Sequence, residues 1–284
     1  MRESSFGNFE SLSPEQSPEG SESLTVEQAI ANLQGQDQGL RYYAAWWLGR
    51  FRVRESAAID ALIATLEDET DRTPEGGYPL RRNSARALGK LGDRKAVPAL
   101  IRCLNCSDFY VRDAAAESLG MLGDPVCIPE LMKLLEGGLE AAQPIPGCPH
   151  LAQPYNATIE ALGSLGATAA IDLIQPFLDH PIERVQYAAA RGMYQLTKNP
   201  IYANKLIQAL GGQKLQLRRA ALGDLGAIGY LPAAEAIAET LAENSLKLIS
   251  LKGLLEYQVK NNSTESSSIS EAAIQVMTLM DNLL

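Results

Sequence analysis

Leu80-Arg81-Arg82-Asn83-Ser84-Ala85-Arg86-Ala87-Leu88-Gly89-Lys90-Leu91-Gly92 decides the fold, because the chain says it again. The second copy is Val111-Arg112-Asp113-Ala114-Ala115-Ala116-Glu117-Ser118-Leu119-Gly120-Met121-Leu122-Gly123. Both read aliphatic, Arg, a run of small residues, then Leu-Gly-x-Leu-Gly. A second apolar stretch follows each, Ala96 to Ile101 and Ile128 to Met132. With the Leu before the first Gly as a marker, equivalent positions are Leu48, Leu88, Leu119, Leu162, Met193, Leu225 and Leu254. Most successive markers lie close to 31 residues apart, the length of a two-helix repeat.

The pattern inside a copy is helical. Val111, Ala115, Leu119 and Leu122 fall on one face. The Gly pair ends the first helix, since Gly tolerates the left-handed conformation. Pro98, Pro129 and Pro232 sit near the start of second helices, where a missing N–H costs little. Neither helix of a pair covers its own apolar face, so neighbours must stack. The expectation is an all-α, HEAT-like helical repeat solenoid of about six to seven two-helix repeats over 24–259. Residues 1–23, rich in Ser, Glu and Pro, read as a disordered N-terminal tail, 260–270 as a linker, and 271–284 as a short amphipathic helix.

Two intervals are longer than the period, 40 and 43 residues. They place insertions at Thr70–Pro79 and within Gly137–Pro154, each between the second helix of one repeat and the first helix of the next. Equivalent connections of a solenoid share one edge, and long loops on rigid scaffolds often carry function.

Bulk properties narrow the classes. The 284 residues are 46% hydrophobic and 21% charged, enough for a core along most of the length. A formal charge of −9 disfavours nucleic acid as a partner. No eighteen-residue apolar run argues for a membrane span, and the N-terminus lacks the basic start and apolar stretch of a signal peptide. A cytoplasmic protein is expected. Cys103, Cys106, Cys127 and Cys148 are expected as reduced structural thiols, with no metal site, although Cys148-Pro149-His150 would add ligands if its loop folded back.

The first repeat differs from the rest. Leu40, Ala44, Leu48 and Phe51 align with core positions, which puts Tyr42, Trp46 and Arg50 on a stripe that is polar in other copies. An exposed aromatic stripe marks a contact surface; the alternative is a cap, with residues 24–39 covering Tyr42 and Trp46. Arg41, Arg81, Arg112 and Arg218 share one repeat column. Such a column either ladders onto carbonyls and acids of neighbouring repeats or offers guanidinium forks to ligand carboxylates. No nucleophile elbow, phosphate loop or paired-carboxylate motif appears. Spacing alone therefore predicts a binding protein, and no catalytic residue is named.

The repeats resemble the HEAT-like repeats of phycobilisome lyases over residues 40–257. Two segments are more specific. Arg41-Tyr42-Tyr43-Ala44-Ala45-Trp46-Trp47-Leu48-Gly49 and Asp71-Arg72-Thr73-Pro74-Glu75-Gly76-Gly77-Tyr78-Pro79-Leu80-Arg81-Arg82 resemble the E-type subunits of heterodimeric bilin lyases. The resemblance implies a carbon–sulfur lyase working as a heterodimer with an F-type subunit. It implies phycocyanobilin as substrate, no cofactor, and apo phycocyanin α subunit as the acceptor whose cysteine forms a thioether. A bilin asks for apolar walls, cations for two propionates and an acid near its pyrrole nitrogens. The candidates are Tyr42, Trp46, Tyr78 and Tyr155 as walls, Arg41, Arg81, Arg82 and Arg112 for propionates, and Asp113 for the nitrogens. Two other readings remain, a subunit of the phycoerythrocyanin α-subunit lyase-isomerase and a non-catalytic HEAT-repeat adaptor that binds phycobiliproteins.

Overall fold

Small side chains at fixed intervals let helices stack closely, and the helices between Val26 and Asn261 do so. The computed structural model describes residues 24–261 and 270–284, so the expected tail over 1–23 and most of the expected linker lie outside the described residues. Numbered in chain order, the helices are α1 (Val26–Gln34), α2 (Gln38–Arg50), α3 (Ser56–Thr65), α4 (Pro79–Leu91), α5 (Val97–Cys103), α6 (Phe109–Leu122), α7 (Ile128–Lys133) and α8 (Gly138–Ala141). They continue as α9 (Tyr155–Ser164), α10 (Ile171–Ile174), α11 (Glu183–Thr197), α12 (Pro200–Leu210), α13 (Leu215–Ile228), α14 (Ala234–Glu239), α15 (Asn244–Asn261) and α16 (Glu271–Asp281).

Seven of these carry the markers: α2, α4, α6, α9, α11, α13 and α15. Each packs on the next, forming one row of first helices. All seven markers are buried. The second helices form the other layer, and α16 closes the far end by packing on α14 and α15 through Ala273 and Val276. All regular elements among the described residues are helical. The architecture is the expected all-α repeat solenoid.

The two glycines of Leu-Gly-x-Leu-Gly do different jobs. Only the second ends the helix in left-handed backbone, as at Gly92 (φ 78°) and Gly123 (φ 66°). The first is a contact point between successive first helices. A β-carbon on Gly89 would lie 2.7 Å from Ser118 Cβ, and one on Gly120 would lie 2.9 Å from Ala161 Cα. The expectation that the pair as a whole serves helix termination is corrected on that point. A first-helix row this tight needs a bare Cα where the helices cross.

Two core expectations in α2 also change. Ala44 and Leu48 are fully buried, but Leu40 is 48% and Phe51 60% exposed. α2 has no preceding first helix beside it, so the outer ends of its apolar stripe stay uncovered. Arg41, one residue on, is buried instead.

Candidate functional site

The arginine column sits at the N-terminal ends of the first helices, where each chain connection leaves carbonyls without helix partners. Arg41 donates to Leu33 O (2.9 Å) and Thr70 Oγ1 (2.7 Å) and pairs with Asp68. Arg81 donates to Asp68 O (2.6 Å) and Glu67 O (3.1 Å). Arg112 donates to Cys106 O (2.6 Å) and Ala152 O (2.8 Å), and Arg218 to Gly212 O (2.7 Å) and Leu241 O (2.9 Å). Other long polar residues do the same work in the same column: Gln186 donates to His180 O (2.7 Å) and Lys247 to Ala238 O (2.9 Å). Partial burial pushes Asp68 up, yet hydrogen bonds from Arg41 and Thr70 outweigh it and hold the carboxyl at about 2. The guanidiniums of Arg41, Arg81 and Arg112 are thus engaged in fastening one repeat to the next.

Two of the proposed walls are inside the protein. Tyr78 is buried beneath Arg81, whose guanidinium lies 4.1 Å from its ring centre. Tyr155 is buried against Phe177, ring centres 5.2 Å apart. Tyr42 and Trp46 are 39% and 45% exposed, with Tyr43 stacked on Trp46 at 5.6 Å. Residues 24–39 do not cover them, because α1 packs on α2 and α3 through Ala29 and Leu33.

Both insertions lie on the edge where first helices begin, and the short connection before α6 joins them. Asp108 accepts a hydrogen bond from Tyr78 N–H of the first insertion (2.7 Å). The second insertion folds back over the start of α6. There the His150 ring lies parallel to Phe109, centres 4.1 Å apart, with Tyr110 edge-on at 5.7 Å. Arg112 ties the loop down through Ala152 O and Gln153 Oε1 (3.1 Å).

This fold-back makes a cleft of about 360 Å³ between the loop and the starts of α6, α9 and α11, lined among others by Tyr110, Asp113, Cys148, His150 and Asn156. That size suits part of a ligand. Burial, reinforced by Glu117, pushes the Asp113 carboxyl above its ordinary range against the pull of Arg86 and Arg82. Arg82 reaches over the Tyr110 ring (5.8 Å), and its buried Nε has no hydrogen-bond partner among the described residues. Asn156 Oδ1 is buried and likewise without one. The structure therefore gathers Arg82 and Asp113 around the cleft and brings Tyr155 to its buried wall. Tyr42 and Trp46 stand two helices away along the row, in the repeat columns that hold Arg82 and Asp113, and Arg86 and Glu117, further on.

One constellation escaped the sequence reading. Glu160 on α9, Arg184 and Arg191 on α11, and Asp224 on α13 form a four-charge network on the same row. Arg184 pairs with Glu160 and with Asp224 (2.9 Å); Arg191 pairs with Glu160 (2.8 Å) and Asp224 (3.2 Å). Burial raises Glu160 despite both arginines. The four residues come from three repeats and share no local motif, so only the stacking register brings them together. Of the cysteines, Cys103 and Cys127 are buried, which lifts their thiols to about 12 and about 11.

Comparison with known proteins agrees with this architecture. The HEAT-repeat profile matches residues 77–140, and that of the PBS lyase HEAT-like repeat matches 40–68 and 156–180. The phycocyanobilin lyase subunit alpha of Nostoc sp. (strain PCC 7120) is 66% identical, across 92% of this chain and 94% of its own. The Synechocystis sp. protein of the same name is 59% identical over 92% and 96%. Bilin biosynthesis protein PecE of Nostoc sp. is 44% identical over 92% and 96%. Among solved structures, the complex of CpcE and CpcF of phycocyanin lyase from Nostoc sp. contains a chain 65% identical to this one. It matches with a TM-score of 0.88, covering 95% of this chain and 98% of that one. By sequence along nearly its full length and by fold, this chain belongs to the phycocyanobilin lyase alpha-subunit family.

Proposed function

We propose that this chain is the E-type half of a heterodimeric lyase that joins phycocyanobilin to a cysteine of the phycocyanin α subunit through a thioether. The observation that carries the reading is the near full-length identity to phycocyanobilin lyase alpha subunits. The higher identity to these than to the PecE relative favours simple attachment over attachment with isomerisation.

The chemistry asks little of conventional catalytic groups. The acceptor thiol is the nucleophile and the bilin is the electrophile. The lyase gains rate and selectivity by holding one conformer of an extended tetrapyrrole and presenting one carbon to one thiol, which is catalysis by proximity and orientation. The row of first helices offers suitable parts. Tyr42 and Trp46 supply aromatic contact, Arg82 a cation, and Asp113 a carboxyl whose proton affinity burial raises. The F-type partner completes the site over this row. No described helix is long and apolar enough to cross a membrane, and the pair works in the cytoplasm of a photosynthetic cell.

Trp46 gives a direct test. Trp46 is 45% exposed, so Trp46→Ala is expected to cost about 1 kcal/mol of stability. An aromatic anchor at an interface is worth about 2 kcal/mol or more, roughly thirtyfold in affinity. Melting of the isolated chain, beside titration with the F-type partner and with phycocyanobilin, checks this. A large drop in melting temperature with unchanged binding would remove Trp46 from the site.

A further inference from the structure

We infer that Cys148 is a holding nucleophile, a thiol that adds reversibly to a conjugated tetrapyrrole lodged in the cleft of the second insertion; the inference rests on the lyase reading. Four observations carry it. Cys148 is the cysteine that lines this cleft, whereas Cys103 and Cys106 line a different hollow and Cys127 is buried. Its sulfur lies 3.4 Å from His150 Nδ1 and 3.7 Å from Nε2. The imidazole is fixed, stacked on Phe109 and met edge-on by Tyr110. Nδ1 lies 2.9 Å from Leu151 O and donates the ring proton there, which leaves Nε2, 3.7 Å from the sulfur, as the ring nitrogen free to take up a proton. A thiol beside an oriented base is the arrangement of an activated sulfur nucleophile.

The walls suit the proposed electrophile. Phe109, Tyr110 and Ile182 offer flat and apolar surface, while the Asp113 carboxyl supplies a polar contact of the kind pyrrole N–H groups seek. The step balances without an oxidant or reductant. The thiol hydrogen passes to His150 Nε2, and sulfur bonds to the exocyclic ethylidene carbon of ring A. The displaced π pair moves to the neighbouring ring carbon, which takes the proton back from His150. One S–H bond and one C=C π bond are exchanged for one C–S and one C–H bond. Reversal frees the bilin inside the complex, where the acceptor cysteine makes the same addition. Held this way, the pigment does not wander to other thiols.

The test uses the full chain with its F-type partner and phycocyanobilin. The mixture is acid-denatured, and zinc-induced fluorescence is read on this chain in a denaturing gel. The peptide containing Cys148 is weighed by mass spectrometry, and transfer to apo α subunit is followed in parallel. Wild-type complex is expected to carry bilin on that peptide and to lose it when apo α subunit is added. Cys148→Ser is expected to fold normally and reduce the fluorescence to background. His150→Gln is expected to slow adduct formation by about 100-fold, the usual contribution of a positioned base. Full transfer by wild type with no bilin on the Cys148 peptide, or fluorescence undiminished in Cys148→Ser, would overturn the inference and leave the lyase reading intact. Absence of both adduct and transfer would take the lyase reading down with it.

Discussion

Gly89→Leu is expected to abolish stable folding of the chain, while Gly92→Ala three residues later costs only about 1–2 kcal/mol. A β-carbon at Gly89 meets Ser118 Oγ at 2.5 Å, its Cβ at 2.7 Å and its Cα at 2.9 Å. Backbone cannot yield there without separating α4 from α6. Ser118 cannot turn away freely either, because its hydroxyl donates to Ala85 O (2.8 Å) across the same interface. A leucine adds three further carbons to that clash. Overpacking of a tight core costs about 1–3 kcal/mol, and splitting a stacked repeat interface adds to it. The stability of an ordinary domain is only about 5–15 kcal/mol, so a loss of this kind takes a large share of it. Gly92 has open space around its missing β-carbon, so alanine there carries only the left-handed strain of φ 78°. Urea denaturation of both variants checks the contrast, and equal losses would refute the division of labour between the two glycines.

The second large effect is expected at Asp224. It is 2% exposed and accepts from Arg184 and Arg191. Asp224→Ala leaves two guanidiniums facing Glu160 alone, an uncompensated charge in a poorly solvated place. Breaking a buried pair from one side costs about 3–5 kcal/mol, and the partial exposure of both arginines puts this case toward the lower end. The damage should be largely relieved in the double variant Asp224→Ala/Arg184→Met, which removes the surplus charge and keeps the arginine's apolar stem. Chemical denaturation of the two singles and the double gives the coupling directly. Additive losses would mean that Asp224 and Arg184 act independently of each other.

These two sites also show where sequence reading succeeds and where it stops. The period, the seven marker positions and the two insertions are visible because a solenoid writes each structural unit into consecutive residues. Tyr42 and Trp46 stand out because repeats supply their own controls: the same columns hold Arg82, Arg86, Asp113 and Glu117 elsewhere. What the sequence does not show is which side of a repeat column faces a neighbour. Arg41, Arg81 and Arg112 have the residue type of a carboxylate clamp, yet their carbonyl partners lie in connections whose course the repeat pattern does not specify. Tyr78 and Tyr155 have the residue type of a ligand wall, yet one sits under Arg81 and the other against Phe177. The network of Glu160, Arg184, Arg191 and Asp224 depends on rotation between three successive helices, and no spacing along the chain encodes that rotation. The cleft at Cys148 and His150 depends on an insertion folding back, which its Pro-rich composition leaves open.

Co-expression tests the central claim most directly. This chain, its F-type partner, apo phycocyanin α subunit and a phycocyanobilin-producing pathway are placed in one cell, with controls omitting each lyase subunit in turn. Covalent pigment is read on the α subunit by zinc fluorescence after denaturation and by the native absorption spectrum. Pigment that appears only when both subunits are present, with the spectrum of unisomerised phycocyanobilin, is the predicted result. A colourless α subunit beside folded, soluble lyase subunits would contradict it and turn attention to an adaptor role for the solenoid.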